Sequence, residues 1–422
     1  MKKLSLLFAL LPALFLGCNS ESAGTAEIQS AYPGSVNIAL ENPAAISRQD
    51  ELIYLDISKI KAAQPTFNPA AFVAFAGKTE LPGQAIDADG DGSPEKIAVL
   101  ADFTANQQQQ LTLFFAETSA KMRDYPKRTQ AEIAHKFGGS FENRKYIDGE
   151  FRNVTSLRVP PEHTDHSYFI RYEGPGWESD KVGYRFYLDW RNATDIFGKT
   201  TPEMVLQNVG LDGFDSYHEM SDWGMDILKV GESLGIGSIG MWHDGKAHRV
   251  AKTDSLRSDV LANGAIYSQI RTVYSGWEIA GETYNLISDL SITAGSRLTR
   301  HDVQISGNPE NLCTGIVKHP ETRLLNKSVN AGSWGYLATF GKQSLNADNL
   351  GMAVLFRQAD FLSFESDDHS EVVVLKPKNG KLQYYFLAAW ELEPGGIRTE
   401  SEFMKYLDDL VEKMNQPVTV NF

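Results

Sequence analysis

Three consecutive stretches, AIYSQIRTVYSGWEI (265–279), TYNLISDLSIT (283–293) and SRLTRHDVQIS (296–306), decide the fold class. Each is rich in aromatic and β-branched residues, and in each polar side chains alternate with apolar ones, the pattern of a strand with one buried face. Runs of the same texture lie on either side: YFIRYEG (168–174), GYRFYLDWRN (183–192), GYLATFG (335–341), GMAVLFR (351–357), EVVVLK (371–376) and QYYFLAAWEL (383–392). That many strand-like runs predict a large antiparallel β-sandwich over 118–422. Arg271 and His301 fall among the alternating polar positions, as expected on the open face of a sheet, a kind of face that commonly serves as a ligand platform.

Upstream, VNIAL, ELIYLDIS, AFVAFA, EKIAVLADF and QLTLFFAE are short alternating runs between turn residues. They predict a small immunoglobulin-like β-sandwich over 31–117, so the chain reads as mainly β in two domains. Gln107 to Gln110 reads as a loop. Between Ile86 and Lys96 lies DADGDGSPE, with Asp87, Asp89 and Asp91 at alternating positions and a glycine sixth. That is the opening of a calcium loop, where oxygen ligands alternate and glycine allows the sharp turn. The twelfth position is Ala98 rather than glutamate, and Asp-Gly is also a common hairpin turn, so a tight turn and a structural calcium site both fit. No other cofactor is expected. At the far end, Thr399 and Glu402 form a capping box ahead of Phe403, Leu407, Leu410 and Met414 at helical spacing, which predicts a C-terminal helix.

Lys2 and Lys3 precede an apolar run over 4–16 too short to span a bilayer, and then Gly17 and Cys18. Residues 1–17 read as a lipoprotein signal, Cys18 as the lipidated residue and 18–30 as a polar tether. The expected address is the cell envelope, with the protein lipid-anchored and either periplasm-facing or at the outer membrane. Lipid on Cys18 would leave Cys313 as the single thiol, so no intrachain disulfide could form. The formal charge of −14 argues against nucleic acid as a partner.

The chemistry concentrates in VPPEHTDHSYFIRYEGPGWESDKVGYRFYLDWRN (159–192), with two histidines around an aspartate, a Tyr-Glu pair and three arginines. Three uses fit. A metal could sit on His163, Asp165 or His166 with distant histidines such as His218 completing the set. A carboxylate pair, Glu173 with Glu178 or Asp215 with Asp222, could hydrolyse a glycoside. Alternatively, acid–base groups could remove the C5 proton of a uronate, which needs cations or strong donors on the adjacent carboxylate. For this last use His163 or His166 would be base or acid with Tyr172 as partner, and Arg185 and Arg171 would clamp the carboxylate. Trp177, Trp190 and Trp223 would stack on sugar rings. His163, His166, Tyr172 and Arg185 should share one pocket. The glycine-rich DWGMDILKVGESLGIGSIGMW (222–242) lacks both phosphate-binding patterns, so its glycines would let backbone pass close to a ligand or a neighbouring strand.

HTDHSYFIRYEGPGWESDKVGYRFYLDWRNATDIFGK (163–199), the 222–242 segment, RDYPKRTQAEIAHK (123–136) and IDADGDGSPEKIAVLADF (86–103) together resemble a bacterial domain-of-unknown-function family of polysaccharide-utilisation loci that includes ulvan oligosaccharide dehydratases. The likeness covers nearly the whole chain after the signal. It implies a carbon–oxygen lyase on uronate-containing oligosaccharides, most simply a dehydratase that removes water from a non-reducing terminal uronate to leave a 4,5-unsaturated sugar. A glycoside hydrolase and a non-catalytic sugar-binding lipoprotein remain the alternatives.

Overall fold

The computed structural model describes residues 27–118, 123–213, 215–327 and 333–422, so residues 1–17 and Cys18 lie outside the described residues. The fold is mainly β with antiparallel pairing in every named sheet. A nine-stranded sheet runs in the order Ser156–Arg158, Ser255–Asn263, Tyr267–Ile279, Glu282–Thr293, Leu298–Ile305, Lys381–Trp390, Asn349–Arg357, Trp334–Lys342, Thr322–Lys327. The three stretches that decided the fold class are its centre, paired in sequence order.

Two smaller sheets contribute to the same core as one face of this sheet. One has six strands, among them Thr129–Phe137, Gly176–Ser179, Val182–Phe186 and Thr194–Lys199, and the other five, around Leu312–Val317 and Ser370–Leu375. A continuous core fills the space between, with Trp177, Tyr184, Ile196, Tyr274, Leu290, Val373 and Phe386 all buried in it. The C-terminal helix Glu400–Asn415 begins at the expected capping box and buries Phe403, Leu407 and Val411 against Phe340, Leu355 and Leu387 of the large sheet.

Residues 34–115 supply four strands of one sheet and three of another, packed as a sandwich around Ile38, Leu55, Val99 and Leu113. Its edge is completed by the last strand of the chain, Thr419–Asn421, paired with Gly34–Glu41. Three local expectations are corrected. Gln108–Phe115 is a strand, because Gln108, Gln109 and Gln110 pair in register with Glu41, Leu40 and Ala39, so the glutamines belong to a sheet rather than a loop. ELIYLDIS ends as a strand at Asp56, and Ile57–Ala63 turns into a short helix that buries Ile57 and Ile60. YFIRYEG is not a strand: Arg171–Glu173 is a single 3₁₀ turn whose Tyr172 and Glu173 adopt positive φ.

Two glycines show what the 222–242 segment does. A Cβ on Gly235 would lie 2.1 Å from the Thr194 carbonyl oxygen, and one on Gly237 would lie 2.2 Å from the Phe386 ring, both at positive φ. The segment therefore threads between neighbouring strands, and glycine is required by contact as well as by conformation.

Candidate active site

The turn that replaces the expected strand at 168–174 organises the site. His166, Tyr168, Tyr172 and Glu173 all have positive φ, a conformation non-glycine residues reach only at a cost of about 1–3 kcal/mol each. What holds them is a charged network. The Glu173 carboxylate accepts the His166 backbone N–H at 2.8 Å, pairs with Arg191 at 2.9 Å and approaches Arg185 at 3.9 Å. Burial alone would raise the Glu173 carboxyl, but Arg191 and Arg185 outweigh it and bring it down to about 2.

Arg185 is fully buried at the floor. It donates to Asp195 at 2.8 Å, to Asp226, and to the Tyr217 hydroxyl at 2.8 Å. Burial, aided by Asp226 and opposed by Arg185, lifts the Asp195 carboxyl to about 6. The Tyr187 ring lies between two guanidinium groups, 3.7 Å from Arg191 and 4.8 Å from Arg185, and its hydroxyl donates to Asp195. Arg191 is held further by Asp189 and by Asp165 at 3.1 Å.

Two histidines stand at opposite ends of this network. His166 Nδ1 lies 2.8 Å from Asp165, and His218 Nε2 lies 3.3 Å from Asp226. Their side chains are 49 % and 40 % exposed, whereas the arginines and carboxylates that connect them, Asp165 apart, are nearly closed to solvent. Each imidazole is thus oriented by a carboxylate, the arrangement that fixes a ring for proton transfer. Exposed cations border the same turn: Lys145 lies over the Tyr168 ring at 5.5 Å, and Arg144 donates to the Thr164 hydroxyl at 3.1 Å.

The expected single pocket does not form as the sequence suggested. His166 and Arg185 belong to the network, Arg185 as its floor and not as an open clamp. Arg171 and Tyr172 are buried behind it, both donating to Glu132, with Arg171 also on the Gln207 carbonyl. His163 is buried, with Nδ1 2.8 Å from the Ser167 hydroxyl, and burial lowers its pKa. Trp177 is a core residue: it is 1 % exposed and its indole N–H donates to Thr299 at 2.8 Å. Trp223 is half-buried against Phe197, while Trp190 is 45 % exposed and open to contact.

Arg271 and His301 are on opposite faces of the large sheet, for a register reason. Arg271, Asp289 and Asp302 form one cross-strand row, and His301 is one residue out of that row, so the period of two turns it inward. Arg271 pairs with Asp289 at 2.7 Å and donates to the Asp89 and Ala88 carbonyls, docking the acidic loop onto the sheet beside a cavity of about 660 Å³. His301 is buried between Ser288 and Gly237 O, and burial brings it down to about 4.

Glu178, a candidate for a hydrolytic pair, is buried against Lys199 at 2.6 Å and accepts the Val205 and Leu206 amides. Among the described residues, two groups offer ligand atoms close enough for a metal: Asp165, His166 and Glu173, and Asp87, Asp89, Asp91 and Glu95. In the first, Arg191 already pairs with both carboxylates, which opposes a cation. In the second, Asp87 accepts the Gly90, Asp91 and Gly92 amides, which shapes the turn by itself.

His218, Asp226 and Asp195 went unassigned to catalysis in the sequence. The available signal was a charged residue inside an apolar strand, as in TDIFGK (194–199), since a buried carboxylate requires a partner.

The family model described as "Domain of unknown function (DUF4861)" matches residues 40–420. No curated protein matches the chain. Among solved structures, the fold is similar to an α-mannosidase from Enterococcus faecalis V583, at 8 % identity and a TM-score of 0.39 over 94 % of this chain and 47 % of that one. A glycosyl hydrolase family 38 protein from Enterococcus faecalis gives 8 % and 0.39, over 94 % and 49 %. The chain spans about half the length of these structures.

Proposed function

The chain belongs to the DUF4861 family, and we propose that this protein is a carbon–oxygen lyase that removes water from a terminal uronate of an oligosaccharide, with His166 and His218 as its acid–base pair. The observation that carries this is the pair of half-exposed imidazoles, each set against a carboxylate, at the two ends of one buried network. The substrate class comes from the sequence resemblance to oligosaccharide dehydratases.

In this reaction one imidazole takes the C5 proton. The C4–oxygen bond breaks as the other imidazole protonates the departing hydroxyl, which leaves as water, and the electron pair forms the C4=C5 double bond. No redox partner is needed. Charge that develops on the substrate carboxylate requires cations. Arg185 is spent on Asp195 and Asp226 and Arg171 on Glu132, so the rim cations Arg144 and Lys145 take this role, with Arg191 behind them. A protein anchored at the cell envelope through Cys18 would meet such oligosaccharides there, and a calcium ion on Asp87, Asp89 and Asp91 would serve stability alone.

A second reading rests on the Asp165 and Glu173 carboxyl groups. Their environments push them apart, Asp165 raised by burial and Glu173 down to about 2, as the acid and base of a glycoside hydrolase are. Incubation with ulvan, pectin and alginate oligosaccharides separates the two. A dehydratase gives a product with enol-ether absorbance and a mass lower by one water; a hydrolase gives saturated fragments with new reducing ends. If no uronate oligosaccharide yields the unsaturated product, the lyase reading fails.

A further inference from the structure

Behind the 163–166 turn lies a cavity of about 500 Å³, within the range of about 300–1,000 Å³ usual for small-molecule sites. Its walls are the turns 158–164 and 188–192 and the segment 250–256. The Trp190 ring faces it, nearly half exposed, with the Arg249 guanidinium 5.3 Å from the ring centroid. On another wall is the buried His163 imidazole. Its Nδ1 is taken by Ser167; the Glu173 backbone approaches the ring, yet no hydrogen bond of ordinary geometry satisfies Nε2. Nε2 is closed off from the cavity, so the imidazole forms part of the wall and offers a ligand its ring edge and not a free nitrogen. The charged lining is balanced, Arg158 and Lys252 against Asp189 and Asp254, and Asp189 is already paired with Arg191.

An aromatic ring with exposed surface in a cavity whose charged lining balances suits a hydroxyl-rich, uncharged ring. The cavity also shares its partition with the active site. Thr164 lines it while Asp165 and His166 belong to the network, and Trp190 lines it while Arg191 belongs to the network. We propose that this cavity is a second sugar subsite, which takes a neutral sugar attached to the uronate that reacts. The assignment rests on the reading of the neighbouring network as a uronate site.

The test is fluorine NMR on protein labelled with 5-fluorotryptophan, the Trp190 line being assigned with a Trp190→Phe variant. Rhamnose, methyl glucuronide and a glucuronyl-rhamnose oligosaccharide are titrated separately. The oligosaccharide and rhamnose should move the Trp190 line. Trp190→Ala should weaken binding of the oligosaccharide by about tenfold, one lost stacking contact, while binding of methyl glucuronide changes less than about twofold. A Trp190 line that none of the three sugars moves overturns the subsite, and so does an equal loss of both ligands. With the titrations run on His166→Asn protein, so that no turnover intervenes, a Trp190 line that moves would keep the subsite even where the wild type forms no unsaturated product and only the lyase is rejected.

Discussion

Replacement of Arg185 by methionine tests whether the network is one electrostatic unit. The guanidinium is 2 % exposed and serves three buried carboxylates, Asp195, Asp226 and Glu173, as well as the Tyr217 hydroxyl. Methionine keeps most of the volume but leaves those carboxylates facing one another without their shared cation. Loss of one partner from a buried ion pair costs about 3–5 kcal/mol, because the remaining charge stays desolvated. The orphaned carboxylates escape the penalty by binding protons, so their folded-state pKa values rise above the unfolded ones. The stability they contribute is then present at low pH and lost as pH rises through those raised values. Each tenfold gain in proton affinity on folding is worth about 1.4 kcal/mol. Urea denaturation followed by circular dichroism at pH 5 and pH 8 measures this without screening the charges, as guanidinium chloride would. The variant should be less stable than wild type by about 3–5 kcal/mol at pH 8 and by clearly less at pH 5, and Arg185→Met/Asp226→Asn should recover part of the loss. A pH-independent loss, or one below about 1 kcal/mol, would refute the idea that the arginine neutralises the site.

The two tryptophans assigned to stacking should separate cleanly under the same assay. Trp177→Ala removes a core side chain and costs about 3–5 kcal/mol, while Trp190→Ala costs under about 1 kcal/mol; similar losses would contradict the burial that separates them. Glu173→Gln tests the sign of the other titration. The wild-type carboxyl is held at about 2 against an ordinary 4.5, so its contribution is complete above about pH 4.5 and is lost as pH falls toward 2. That difference in proton affinity corresponds to about 3 kcal/mol, so the variant should be less stable by about that much at pH 7 and should converge on wild type near pH 2. Parallel stability curves for the two proteins would show that Glu173 is not the group concerned.

The strands were legible because their signal is local. Alternation in 265–279, 283–293 and 296–306 reports a face buried along the whole strand, and the capping box at Thr399 reports a helix start within four residues. The turn at 168–174 was not legible for the opposite reason. YFIRYEG has the composition of a strand, and it turns because Glu173 is pulled between Arg185 and Arg191, which only the assembled sheet brings near. His166 could be picked out from its own stretch, whereas His218 depends on Asp226, and Asp226 is placed by pairing of Gly224–Asp226 with Thr194–Lys199. Arg171 and Arg185 look identical in sequence to arginines that face a ligand. Their burial against Glu132, Asp195 and Asp226 is a property of the fold.

If the two carboxylate-oriented imidazoles carry the chemistry, their removal should abolish turnover and spare the fold. The deciding quantity is the rate of unsaturated-product formation by His166→Asn and His218→Asn, followed by enol-ether absorbance and confirmed by mass. Both side chains are about half exposed, so the urea midpoints and oligosaccharide affinities should stay near wild type. Each variant should lose about 10²- to 10⁴-fold in turnover, the share typical of one acid–base group. Near-wild-type turnover in either variant would contradict the assignment, as would a wild-type product that carries no double bond.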